Sequence, residues 1–422
     1  MPTIAANFKE MPRNVRVSLA VLPLWSIPNT LVVSYASLYM INQGVSASKV
    51  GLINSLSFIL KTILAIFAGY IINRFGRRVT TGVLDFLGWS VPMLIYFFAT
   101  NFWMFLLASL INCITVINNI SSQCFMVEDV DQDKRIRGFS FSSVIGSVCG
   151  LFVPITGLLI QKVTLVPAIR ALYMFAFISM GTAAVCKLIF YRETSVGRKL
   201  MAERVPLGNP FKNLLKPAHY ILGNRKLILL FSMNILLQFA LIINNLYYFP
   251  FLTKALHYSD SYISMFPFFT TAVGLFVFFI IIPRIRNMGK AAYFSVAMYA
   301  TGALALLIAR VTVPQVAFVC VLCWALGLYT MTPVLNTMIA NTIKDELRTE
   351  VFSLFSLVSM LCMFPAGFVG GLLFDISPVY PVIFLFAVYV SSFLILVISG
   401  RKAGFGINDG AEEKLLPKEE SI

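Results

Sequence analysis

The chain has 422 residues, of which 59% are apolar and only 12% charged, with a formal net charge of +15. Soluble domains carry about half apolar and about a quarter charged residues, so this composition excludes an ordinary water-soluble protein. The basic residues sit in short clusters between apolar blocks and form no continuous basic face, which excludes nucleic acid as the partner of that charge.

Apolar blocks of about twenty residues can each cross about 30 Å of hydrocarbon as helix, and the lipid bilayer is therefore the expected surroundings. Read in chain order they predict twelve spans, near 16–41, 48–73, 79–100, 102–127, 138–161, 165–190, 226–252, 261–283, 290–309, 314–340, 351–374 and 378–400. Met1 to Arg16 has no apolar core followed by a small-residue cleavage site, so the first span is expected to stay in the mature chain. Short connections predict antiparallel neighbours, and one longer polar stretch, Arg192 to Lys226, separates the sixth span from the seventh. The expected architecture is all-α, with an N-terminal six-helix bundle at 1–191, a linker at 192–225, a C-terminal six-helix bundle at 226–400 and a disordered tail at 401–422. Inside the linker, Asn209-Pro210 signals a helix start, and Phe211, Leu214 and Leu215 beside Lys212 and Lys216 suggest a short helix on the membrane surface, with a plain tether as the alternative. The seven cysteines all fall in apolar blocks; Cys320 and Cys323 read as small core residues, and no disulfide is expected.

Lysine and arginine resist translocation, so their distribution orients the spans. Most of the 33 fall on the side that holds the termini and the Arg192 to Lys226 stretch, whereas the opposite loops hold only Lys49, Lys162, Arg170, Lys254 and Arg310. Both termini are therefore predicted on the cytoplasmic side of a plasma membrane. A constant offset of 213 links Gly76 and Arg77 to Gly289 and Lys290, the run from Arg135 to Ser140 to the run from Arg348 to Ser353, and Gly157 to Gly370. Three matches at one offset imply duplicated halves, and such bundles hold a solute site near the bilayer midplane.

The turn between spans two and three reads Gly69-x-x-x-Asn73-Arg74-Phe75-Gly76-Arg77-Arg78. It resembles the loop signature G-x-x-x-D-[RK]-x-G-[RK]-[RK] of the major facilitator superfamily of secondary transporters. With the weaker copy at Arg284 to Lys290 and the twelve-span layout, the resemblance covers nearly the whole chain. It implies that Gly69 lets span two pack closely on span eleven, and that an arginine of the loop pairs with acid at the cytoplasmic end of span four. That pairing would latch the outward-facing state. Gly69, Arg74, Gly76, Arg77 and Arg78 match by position, while Asn73 replaces the usual Asp, so a latch here would lean on Glu128, Asp129 and Asp85. Positive-inside topology alone also accounts for these arginines. Gly146, Gly150, Pro154 and Gly157 match the span-five antiporter pattern only in part, and close helix contact explains their spacing equally well.

Lys61 lies deep in span two, on the same helical side as Asn54, Ser57, Ala65 and Ala68. A charge at that depth needs a wet cavity or a partner. Two readings stand side by side: a functional one, as a ligand for an anionic or hydroxylated solute or as one member of a state-dependent ion pair, and a fixed pair with Asp85. Asn112, Thr115, Asn119 and Ser122 share one face of span four, Gln238 and Asn245 one face of span seven, and span one offers Trp25 and Asn29. The resemblance implies that spans one, four, seven and ten line the central cavity, where Trp324 could stack on a sugar ring; interhelical hydrogen bonding or packing is the plainer account of each.

No Asp or Glu sits near the centre of any predicted span, so no midplane proton carrier is visible, although Asp85, Glu128 and Asp129 could titrate near the cytoplasmic end. With no metal-ligand cluster, nucleophile elbow or zinc-protease histidine pair, no enzyme is expected, and no cofactor. What remains is a monomeric secondary transporter of a small polar organic solute, sugar-like or glycoside-like by preference. Coupling to a proton or sodium gradient is left open. Export of amphipathic compounds is the alternative, and a non-transporting solute sensor is the third reading.

Overall fold

The computed structural model describes residues 10–203, 215–285, 287–311, 316–343 and 348–402. Among the described residues there is no strand, and twelve helices are long and apolar enough to cross a membrane. They run Arg13–Val33, Ala47–Phe75, Arg77–Phe98, Phe102–Val127, Arg137–Val163, Leu165–Phe190, Arg225–Lys254, Tyr262–Arg284, Met288–Ala309, Val316–Ile339, Leu357–Ile376 and Tyr380–Ile398, and are called spans one to twelve. Helix is what hydrocarbon demands, because every backbone N–H and C=O must find its partner within the segment. A short helix, Leu215–Gly223, precedes span seven. Asn209, Pro210, Phe211, Lys212 and Leu214, and the tail beyond Lys402, lie outside the described residues.

Several spans are broken where the sequence reads as one run. The expected 16–41 helix arrives as Arg13–Val33 and Ala36–Asn42. Span four pauses at Cys113 and Ile114, where the Asn112 amide donates to the Gly88 carbonyl at 2.9 Å and the Thr115 hydroxyl to the Asn112 carbonyl. Span five stops after Gly150 and restarts at Pro154; span eleven stops after Met363 and restarts at Ala366, just past Pro365. Proline has no N–H to donate and fits the start of a helix, which accounts for both restarts. These two breaks stand one repeat apart, at the same offset of 213 that pairs Gly157 with Gly370.

The chain groups into two compact units. One comprises Met1–Lys212, Ile242–Thr271 and Leu357–Pro381; the other comprises Asn213–Leu241, Ala272–Ser356 and Val382–Ile422. In the first, span six packs along span one, and the Ala366–Ile376 helix along the start of span two. In the second, spans nine and ten pack through small residues, with Gly302 against the Cys320 backbone and Gly327 against that of Ser295. Its core is aromatic: Tyr299 stacks on Tyr389 with centroids 4.9 Å apart, and Phe231 on Phe355 at 4.0 Å.

Candidate functional site

The signature loop turns on Gly76, whose φ of 81° is open to glycine and strained for other residues. Span three then begins at Arg77 without a side-chain cap of its own. The cap comes from Glu193, just past span six: its carboxylate accepts the Arg77 amide at 3.0 Å and the Arg78 amide at 2.9 Å. Two of the helix's orphan donors and its positive end are satisfied together. Arg77 is buried, with Nη2 3.1 Å from Glu128 Oε1, and its Nη1 donates to Asn73 Oδ1 at 3.1 Å. Asn73 thus supplies a hydrogen bond where the family usually has a charge. Glu128 also accepts the Thr194 hydroxyl, and Asp129 accepts both the hydroxyl and the amide of Ser195. Those two donors hold the Asp129 carboxyl below the usual carboxylate range. The Arg78 guanidinium donates to the Leu188 carbonyl, Arg74 is exposed, and Gly69 is exposed with open space where a side chain would stand. The close approach that the resemblance implies for Gly69 is therefore not made here.

Asp85 stands deeper, apart from these arginines. Lys187 Nζ lies 2.8 Å from its Oδ2, the Asn118 amide donates to its Oδ1 at 2.6 Å, and the two ionic side chains are 13% and 3% exposed. The fixed Lys61–Asp85 pair, one of the two readings of Lys61, is thus replaced by a Lys187–Asp85 pair. The reason is adjacency: span three runs against spans four and six, which bring Asn118 and Lys187 to it.

At the opposite end of the spans, span two meets span eleven backbone to backbone. A methyl on Gly51 would overlap the Gly367 carbonyl, and one on Gly371 would press on the Ala47 carbonyl. The Asp375 carboxylate accepts the amides of Ala47 and Ser48, both at 3.0 Å, which caps span two. The Tyr247 hydroxyl lies 2.7 Å from the Gly367 carbonyl and 3.1 Å from that of Ala47. Nearby the Tyr35 hydroxyl donates to the Asp260 carbonyl, and Gly157 leaves room for Ser261 and Ser264 at the head of span eight. Glycines repeated at helical spacing let backbones approach this closely.

The polar residues read as cavity lining divide. Asn112 and Thr115 turn toward span three, where Thr115 packs on Gly88, while Asn119 is exposed and Asn29 half-buried. Trp25 sets its ring edge-on to Trp89 at 5.0 Å, and its buried indole N–H has no partner among the described residues. Gln238 is half-buried and Asn245 exposed; Asn244 and Tyr247 are the buried residues of that turn that carry polar groups. Trp324 meets Tyr299 edge-on. Sequence reasoning missed Glu193 and Thr194, which it placed in the linker, and also Tyr247 and Asp375. An uncapped helix start at Arg77 was the signal pointing to Glu193.

Several known proteins are similar to this chain. The tetracycline resistance protein, class H, of Pasteurella multocida is 25% identical over 171 residues, which cover 40% of this chain and 42% of that protein's length. Among solved structures, a bacterial homologue of the human lysosomal transporter Spinster, in an inward-facing and unoccupied conformation, matches with a TM-score of 0.66 at 14% identity, covering 93% of this chain and 95% of that one. The nucleoside transporter NupG matches at 0.67 and 12% identity over 92% of this chain and 98% of its own. A bacterial homologue of the iron transporter ferroportin, in an inward-facing state, matches at 0.69 and 14% identity over 92% and 98%. The Major Facilitator Superfamily profile matches residues 24–367. With that match, twelve membrane-length helices and the Gly76–Arg77–Glu128 turn, the chain belongs to the Major Facilitator Superfamily.

Proposed function

We propose that this protein is a secondary active transporter that carries a small polar organic solute across the cytoplasmic membrane by alternating access. It acts as a monomer, with both termini and the 192–225 connector inside the cell. One observation carries the reading: the glycine seam of Gly51, Gly367 and Gly371, fastened by Asp375 and Tyr247, closes one end of span two, while Gly69 at its other end is uncovered. A helix sealed at one end and open at the other is what a carrier presents in one of its two states. The halves 1–191 and 226–400 exchange the two conditions by rocking, with Arg77, Glu128, Glu193 and Asn73 keeping the signature loop in shape for the opposite state.

A sugar or glycoside remains among the solutes of this reading, its hydroxyls facing the amides of Asn29, Asn119 and Asn245. The stacking partners it would want, Trp25 and Trp324, are already packed edge-on against Trp89 and Tyr299. Export of amphipathic compounds is the second reading, favoured by the stretch shared with the tetracycline resistance protein. Purified protein in liposomes separates the two: uptake of labelled sugars and nucleosides, and tetracycline efflux, each measured with and without a proton or sodium gradient. Solute-dependent counterflow is expected. Tight binding without counterflow would make the chain a sensor, and neither binding nor counterflow would remove the transport reading.

A further inference from the structure

The Lys187–Asp85 pair takes the carboxylate that the sequence also offered to Lys61. Asp85 and Asp375 are the carboxylates of the twelve described spans, and each is taken: Asp85 by Lys187 and Asn118, Asp375 by the amides of Ala47 and Ser48. Lys61 has no salt bridge among the described residues. It stands at the middle of the Ala47–Phe75 helix. Fourteen residues on either side correspond to about 21 Å at about 1.5 Å per residue, beyond the reach of a lysine side chain to either interface.

Its direction is set by its neighbours on the helix. Ile59, Ile63, Phe67 and Tyr70 are exposed apolar side chains that mark the lipid-facing stripe. At about 100° per residue, Lys61 points to the opposite side. There it lies between the line of Gly51 and Ser55, which packs on Ala366–Ile376, and the line of Ser57 and Ala68, which packs on span four. Two turns earlier on the same face, the buried Asn54 Oδ1 has no hydrogen-bond partner. Lys61 is half-buried within electrostatic reach of the Cys113 thiol, which donates to the Ser57 and Ser109 carbonyls and brings no counter-charge.

A cation held in the membrane, turned inward and with no counter-ion among the described residues is suited to one supplied by a solute. We infer that the transported solute is a small organic anion whose carboxylate, phosphate or sulfonate group pairs with Lys61, with Asn54 as a neighbouring polar contact. This deepens the transport reading and rests on it.

The test uses the full purified chain with two matched sets of probes: gluconate, glucose and glucosamine; benzoate, benzamide and benzylamine. Melting temperature and counterflow in liposomes are measured for the native protein, Lys61→Arg and Lys61→Gln. At least one anion is expected to bind and exchange, at least tenfold more tightly than its neutral and cationic counterparts. Lys61→Arg should keep this preference, and Lys61→Gln should lose it. The native comparison decides even if Lys61→Gln does not fold. Exchange of a neutral or cationic probe, equal in native protein and Lys61→Gln, would overturn the anion while sparing the transporter. No binding or exchange of any probe would overturn the anion, and absence of counterflow with every sugar, nucleoside and drug as well would remove the transport reading beneath it.

Discussion

At the scale of single residues, the two buried charge pairs of the first unit differ in kind. Lys187 and Asp85 neutralise each other, and Asn118 occupies the remaining carboxylate oxygen. Breaking a buried pair by removing one partner costs about 3–5 kcal/mol, because the survivor is left charged and dry, whereas replacing both is close to neutral. Lys187→Met alone should therefore lower the melting temperature of the purified protein sharply, and adding Asp85→Asn should restore most of it. Equal melting temperatures for the single and double variants would show that the pair is not coupled. Arg77 and Glu128 form the other kind, a charge pair at a span end that is built into a wider hydrogen-bonded turn with Asn73, Thr194 and Glu193. There the loss of any one member is spread over several bonds.

At the scale of elements, helix ends and helix breaks carry the information. Glu193 caps span three at one end of the first unit and Asp375 caps span two at the other, each with both carboxylate oxygens on two successive amides. The glycine seam beside Asp375 admits no side chain, so Gly367→Leu should prevent span eleven from closing on span two. Counterflow is then expected to fall at least tenfold with protein yield retained, and a single cysteine at Ser55 should react with a polar maleimide faster than in the parent; unchanged reactivity would show that the seam is not a gate. The spans themselves were legible because run length and charge punctuation are local properties. So was the Arg77–Glu128 turn, whose two residues sit at span ends that the sequence already located. Glu193 was not legible, since it reads as the first acid of a linker. Nor was the choice of Lys187 over Lys61 by Asp85, which depends on helices more than a hundred residues apart lying side by side. Tyr247 escaped for a similar reason: its neighbour Tyr248 fits the polar face of span seven by periodicity, but the seam recruits the other ring.

At the scale of the whole molecule, orientation links the polar ends to function. Arg198 and Asn42 are exposed at opposite ends of the spans. In a single-cysteine background, Arg198→Cys should be labelled by a membrane-impermeant maleimide in everted vesicles alone, and Asn42→Cys in right-side-out cells alone. The reverse pattern would invert the proposed topology. The repeat is legible at this scale too: the interrupted spans five and eleven occur one repeat apart and carry Gly157 and Gly370 on their second segments. What the repeat did not disclose is which partners these segments choose, because the side chains that meet them, Ser264 and Tyr247, lie outside the matching runs.

At the first turn of span two the fastening is lopsided in chemistry. Span two contributes main-chain amides and a main-chain carbonyl at Ala47 and Ser48, while its partners contribute the side chains of Asp375 and Tyr247. Most substitutions that erase a side chain leave the peptide group in place, proline with its missing N–H being the exception. A saturation library would accordingly show tolerance at Ser48 facing strict intolerance at Asp375, so one side of the same junction would drift freely through evolution while the other stayed frozen.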